Sequence, residues 1–448
     1  MITISLGSIL ASKNLSDQTQ TIVIKYFIFS ALMRGIFMLS STFYFLFIVE
    51  LTGFAEAAFL ITVAFIIQGL IDYPSGALGD KIGQKKVIFI AYLIHSIAFA
   101  SLLFINSFNF LIMIYLAEAI AKSLESGAIN SWFDNNYKIT ALNKDKDHEI
   151  YKEANFRIEM LIGIFASSMF LLGGVLAYWT FRELIFVIQS ILMIVIGVII
   201  LLTLNDIKTN EENKQENYLR ILTGGIGLLI KSPRLLMFVV GSIILATPII
   251  IWTELILFIF YFGYTGSDAS AGLFRFIVWF SSSLVVGIAG IYSKKLTAKK
   301  SLYKMHLIHS FLFFGSFALI IFLFPLTDQF SLFALVLSLI IFSMAAIIHY
   351  SSDILKKSVY LELIPNEKRN SFYSLIPTLT MLVSSPLIFI FGILITTHGL
   401  VISIVVLATI EIIGALVIGI SFHLPEKWKA FNKIQPILLA NQIHCCVN

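Results

Sequence analysis

The sequence predicts an all-α integral membrane protein of twelve transmembrane helices arranged as two six-helix bundles. Three observations predict it: composition, the length of the apolar runs, and the placement of the charges between them. Of 448 residues 58% are hydrophobic and 13% are charged, against about 25% charged in ordinary soluble domains, and the mean hydropathy is +0.93. The apolar runs are close to the ~20 residues that about 30 Å of hydrocarbon demands of a helix rising 1.5 Å per residue. They are too long and too uniformly apolar for the alternating strands of a membrane barrel.

Taken in order, the spans fall at 22–49, which carries Arg34, at 55–79, and at 86–106, which contains His95. The fourth, 109–133, holds Glu118, Lys122 and Glu125; the fifth, 157–178, contains Gly173 and Gly174; the sixth is 183–204. The seventh, 234–262, includes Pro248 and Glu254, and the eighth, 268–293, includes Arg275. Spans nine to twelve are 303–324, 329–352, 371–396 and 399–422, with His349 in the tenth and Glu411 in the twelfth. The polar stretch between the sixth and seventh spans divides the chain into a first bundle (1–204), a linker (205–232), a second bundle (233–424) and a tail (425–448).

Charge placement supports this register. Among 31 lysines and arginines, Arg182 alone lies in a loop leading from an odd to an even span, while Arg34, Lys122 and Arg275 lie inside spans. The remaining 27 share a side with both termini. By the positive-inside rule that side is the cytoplasm, so the chain is expected in the cell membrane with both ends inside. The net charge of +5 is scattered between apolar runs rather than gathered in a stripe, so no nucleic-acid partner is expected. Cys445 and Cys446 sit together in the tail and form no disulfide framework. Adjacent His444, Cys445 and Cys446 cannot complete a tetrahedral metal site, and no phosphate-binding glycine loop occurs. We expect no cofactor, no metal, no enzyme activity and no cleaved signal.

The halves retain a trace of repetition: Gly76 and Gly290, and Lys85 and Lys299, are both 214 residues apart. The first copy, Gly76 to Lys86, resembles the signature loop of the major facilitator superfamily, G-x-L-a-D-r-x-G-r-k, between helices two and three. Gly76, Leu78, Asp80, Gly83 and Lys85 match, Lys81 replaces an arginine, Gln84 departs from a basic position, and Lys86 closes the segment. Three further pieces are similar to a branch of that family: Asp72-Tyr73-Pro74-Ser75-Gly76, Ser126-Gly127 to Trp132-Phe133-Asp134, and Ile364-Pro365 to Arg369. The drug-antiporter signature of helix five is half present, Gly173-Gly174 with Met169-Phe170 at the glycine-proline positions, and does not establish proton-driven drug efflux.

The resemblance implies a monomeric secondary transporter that moves a small solute by alternating access, driven by an ion gradient such as that of protons. It also implies a gating loop in which Asp80 latches onto the start of helix eleven near Arg369-Asn370-Ser371, and a cavity lined by helices one, four, seven and ten. Ionisable groups there are costly, about 2.5 to over 10 kcal/mol each, and mark substrate or proton paths. Arg34 and Lys122 would form a cationic floor for an anionic or zwitterionic solute, with Glu118 and Glu125, on one helical face with Lys122, neutralising the lysine when the site is empty. The same residues could instead be an ion-pair ladder that fixes packing. Glu254, after the bend Pro248 permits, would line a gate or approach the outer interface. His349 and Asp353 would be a proton relay or a solvated helix end. Arg275 would reach Glu254 or the outer headgroups, and His95 and Glu411 would make interhelical contacts. A non-transporting sensor or assembly factor, or a carrier of lipids or other amphipaths, are the alternative functions.

Overall fold

The computed structural model describes residues 6–141, 144–145, 149–205, 226–293, 296–327, 330–364 and 369–425. These are helical almost throughout, with no strand among the described residues. Twelve long rods follow one another: α1 (Asp17–Thr52), α2 (Phe54–Ile82), α3 (Gln84–Phe104), α4 (Phe108–Glu125), α5 (Glu149–Trp179), α6 (Arg182–Thr203), α7 (Pro233–Thr265), α8 (Asp268–Ser293), α9 (Ala298–Leu323), α10 (Leu332–Leu363), α11 (Arg369–His398) and α12 (Leu400–Ser421). Among the described residues ten are long and apolar enough to cross a membrane. α4 is not among them, because Glu118, Lys122 and Glu125 interrupt its run. Most of the expected linker and the tail beyond 425 lie outside the described residues.

Four rods are not simple helices. α1 breaks at Thr42–Phe43, which releases the carbonyls of Ser41 and Thr42 from the ladder. α4 ends at Ser126, and Gly127, at φ +72°, lets the chain restart as a second helix, Ala128–Ala141. A side chain there would meet the left-handed penalty that glycine escapes. α7 contains Pro248 and then a π-turn at Trp252–Ile256; α9 has a π-turn at Phe311–Gly315.

Contacts at the rod ends define two sides. On one, Lys25 Nζ donates to the Thr203 carbonyl (2.8 Å), Trp132 Nε1 donates to the Asn205 carbonyl (3.0 Å), and Arg234 pairs with Glu362 (3.6 Å). We call this the terminal side, since α1 starts and α12 ends there. On the far side the Ser331 amide donates to the Tyr264 carbonyl, 3.0 Å away. The first six rods meet the last six chiefly through α5 against α8 and α2 against α11. At the first seam the backbones touch: a Cβ on Gly174 would lie 2.4 Å from the Asp268 carbonyl oxygen, and one on Gly272 2.6 Å from that of Phe170. The outer surface is apolar, with Leu202, Phe322 and Phe104 more than two-thirds exposed, as a lipid-facing wall requires.

Candidate functional site

Between the two sets of rods lies a cavity of about 530 Å³. Its walls come from α1, α2, α3, α4, α5, α7 and α8, and five of the seven candidate site residues line it: Arg34, Glu118, Lys122, Glu125 and Glu254. His349 and Asp353 do not. They pair with each other (3.4 Å), and Asp353 pairs with Lys356 (2.7 Å), on α10 away from this cavity.

The expected neutralisation of Lys122 by its neighbours is not what the contacts show. Buried His95 of α3 reaches between the two carboxylates, its Nδ1 3.0 Å from Glu118 and its Nε2 3.4 Å from Glu125. Tyr92 donates its hydroxyl to Glu125 at 3.1 Å. The face shared by positions 118, 122 and 125 of α4 is there, but a fully buried imidazole on the next helix takes both acids, the buried Glu118 and the partly exposed Glu125. Lys122 is left exposed to the cavity, and it makes no ion pair among the described residues. His95 is thus an interhelical contact, as expected, and also the group that holds two cavity carboxylates.

Arg34 has a partner that sequence reasoning missed: Glu159 of α5, 3.0 Å away, with side chains 43% and 52% exposed. Glu159 stands two residues inside the fifth span and reads as a charge at a helix end; nothing in the sequence joins it to Arg34. An open ion pair of this kind contributes at most about 1 kcal/mol, so an incoming anion can displace it cheaply. Tyr26 donates to Asn130 Oδ1 (2.8 Å), and its ring stacks on Phe133 at 4.1 Å. Phe133 stacks in turn on Tyr151, whose hydroxyl bonds Asp134. Outside the spans, burial pushes the Asp134 carboxyl above its ordinary range, and the Tyr151 hydrogen bond opposes that.

The far end of the cavity is closed by side chains of the last six rods reaching the broken α1. Arg275 donates to the Ser41 carbonyl and lies over the rings of Phe170 (4.1 Å) and Tyr261 (5.3 Å). Tyr261 donates its hydroxyl to the Thr42 carbonyl at 3.1 Å. The break in α1 therefore supplies the acceptors that join the halves above the cavity. Glu254 sits in the π-turn of α7, with Lys122 and Arg275 near enough to act on it electrostatically.

Beyond that, on the far side, Arg182 makes a two-pronged pair with Asp268 (3.0 Å on each prong) and a third bond to Glu50 (2.7 Å). The single basic residue of the odd-to-even loops is therefore engaged in bridging α6, α8 and the end of α1. In the gating-loop segment, α2 stays helical through Gly76, Asp80 and Lys81 to Ile82, Gly83 turns the chain at φ +97°, and α3 begins at Gln84, leading through Lys85 and Lys86. The side chains of Asp80 and of Arg369, Asn370 and Ser371 lie outside the described residues, and with them the expected latch.

A family model described as Major Facilitator Superfamily matches residues 25–385, most of the chain and both sets of rods. The chain belongs to the major facilitator superfamily. As a member of it the protein is a multi-pass membrane transporter, and the expected fold and recognition hold. Solved structures agree on the fold. The nucleoside transporter NupG superposes with a TM-score of 0.66 at 16% identity, covering 90% of this chain and 98% of that one. A bacterial homologue of the human lysosomal transporter Spinster, inward-facing and occupied, gives 0.66 at 14% identity, covering 92% and 99%. The POT family transporter PepTSo gives 0.63 at 13%, covering 90% and 97%. No curated protein matches by sequence. At these identities the superfamily members share a shape with this chain, and its cargo has to be argued from its own cavity.

Proposed function

We propose that this superfamily member is a secondary active transporter that carries a small anionic or zwitterionic solute across the cell membrane by alternating access, coupled to a proton gradient. It works as a monomer, with bundles 1–204 and 233–424 rocking about the cavity and both termini in the cytoplasm. The observation that carries the reading is Lys122: a cation facing the cavity on an apolar helix, with both neighbouring acids engaged elsewhere. A bare charge at membrane depth costs several kcal/mol, and a negatively charged group of the cargo would offset that cost. Arg34, whose partner is easily displaced, supplies a second cationic contact, and Glu254 on α7 offers an anionic one for the other pole of a zwitterion. Asp80 with Gly76, Gly83, Lys81, Lys85 and Lys86 forms the gating loop of this reading.

The test is flux of charged solutes into proteoliposomes holding the purified protein. Lys122→Met is expected to cut uptake of the accepted solute at least tenfold while the protein stays folded; wild-type uptake in a folded variant would remove the lysine from the mechanism. An amphipathic cargo is the second reading, favoured by Met33, Met38, Phe37, Phe45 and Phe65 in the cavity wall. It predicts that lipid-like anions compete with the solute.

A further inference from the structure

A second polar network lies within the last six rods, away from the cavity. On α9, His306 and His309 are each 3% exposed, and both direct Nδ1 at one oxygen of Glu411 on α12, at 3.3 and 2.8 Å. Glu411 is 1% exposed. Its other oxygen and Nε2 of His306 are buried without a hydrogen-bond partner among the described residues. The outer faces of the same two rods carry Phe311, Leu319, Ile413 and Leu416, each about half exposed or more, so this carboxylate is sealed just inside a lipid-facing wall.

The network has one open end. The His309 ring lies 5.7 Å from that of His349 on α10, His349 is 3.4 Å from Asp353, and Asp353 is 2.7 Å from Lys356. The side chains of His349 and Asp353 are 29% and 35% exposed. The π-turn of α9 begins two residues after His309, and its Phe313 stacks on that imidazole at 5.1 Å; π-turns concentrate at functional sites. α7 packs on the other side of α12 with Gly241 and Leu245. The one titratable residue of its Pro233–Ile251 segment, Arg234, is occupied with Glu362 at the helix start. Among the described residues the titratable groups at the cluster are therefore His306 and His309 from α9, His349, Tyr350, Asp353 and Lys356 from α10, and Glu411 from α12.

Charge balance decides what such a cluster binds. Two neutral imidazoles and one carboxylate sum to one negative charge; a single added proton makes the cluster neutral, the state a low-dielectric interior favours. We propose that His306, His309 and Glu411 form a proton-binding site in the second half of the transporter, filled and emptied through His349 and Asp353. The proton comes from water at the Asp353 end, resides on an α9 imidazole against the Glu411 carboxylate, and leaves by the same groups. His309 stands 214 residues after His95, the offset of the glycine and lysine repeats, so each half holds an imidazole against acid at one repeat position. The use of the site in coupling rests on the transport reading, and its existence does not.

The decisive measurement is histidine NMR of the full chain in lipid nanodiscs between about pH 5 and pH 8, where imidazoles change charge. His306 and His309 are expected to take up one proton between them over one shared transition. Glu411→Gln should abolish that uptake and Glu411→Asp should retain it. Two independent transitions, none in the wild type, or an unchanged transition in Glu411→Gln would overturn the site. Should Glu411→Gln not fold, His349→Asn serves: at least tenfold slower proton exchange at His309 is expected, and an unchanged rate overturns the entry path. In proteoliposomes under an imposed proton gradient, Glu411→Gln should keep downhill flux and lose uphill accumulation. Wild-type accumulation in that variant would exclude a coupling role, whereas a wild type that carries no solute would overturn the transport reading alone.

Discussion

Lys122 owes its availability to His95. If the imidazole is removed, Glu118 and Glu125 lose their shared partner, and the nearest cation on their own helix is Lys122, one turn away on the same face. His95→Gln is therefore expected to draw a carboxylate onto the lysine and to slow its labelling by a water-soluble amine reagent several-fold, counted by mass spectrometry, because an ion-paired ammonium is a poor nucleophile. Adding Glu118→Gln and Glu125→Gln should restore the labelling. Unchanged labelling in His95→Gln would show that the lysine is free for another reason. At this scale the sequence is a partial guide. It places Arg34, Glu118, Lys122, Glu125 and Glu254 on one cavity because helices one, four and seven line it, yet the pairings escape it. Arg34 finds Glu159 125 residues away, and His95 wins the acids from a neighbouring helix; both are outcomes of packing, which no local spacing encodes.

The rods themselves are legible because a bilayer leaves the backbone only a helix or a closed barrel, and a uniformly apolar run of ~20 residues selects the helix. Their interruptions were legible only where a residue type forces them. Pro248 announces the bend in α7, whereas the fourth span, expected to run to 133, stops at Ser126 before Gly127. Neither the Ser40-Ser41-Thr42 run before the break of α1 nor the stretch holding the π-turn of α9 contains a residue that by itself forces a break. These are held by tertiary partners, Arg275 and Tyr261 in the first case. The entry to α5 shows the same dependence on a single side chain. Asp145 accepts from the amides of Ile150 (3.1 Å) and Tyr151 (2.8 Å) and from the Tyr137 hydroxyl (2.8 Å). Asp145→Ala removes the carboxylate that accepts from two amides at the start of α5, and is expected to destabilise the protein by about 1–2 kcal/mol. A lower midpoint in detergent-solubilised thermal unfolding checks it; an unaltered midpoint would mean that water replaces the carboxylate.

For the molecule as a whole, the arrangement is that of a container closed on the far side. Arg182 ties both sets of rods there with three charge-assisted hydrogen bonds: the two to Asp268, which is mostly buried, are worth about 1.5–3 kcal/mol each, and the one to Glu50, whose side chain is 54% exposed, at most about 1 kcal/mol. Arg182→Gln should loosen that closure: a cysteine introduced at Phe45, with Cys445 and Cys446 replaced, is expected to react at least tenfold faster with an impermeant thiol reagent supplied from the far side. Exchanging the partners, Arg182→Asp with Asp268→Arg, should recover part of the protection, and equal rates in all three proteins would mean the bridge is ornamental. Beneath it, Gly174 and Gly272 bring two backbones into direct apposition with no side-chain cushion between. In the rocking cycle proposed above such a seam would serve as a fulcrum, across which the bundles roll without parting, and even one methyl group added there would be a shim that tilts the lever and changes which mouth of the vessel stands open at rest.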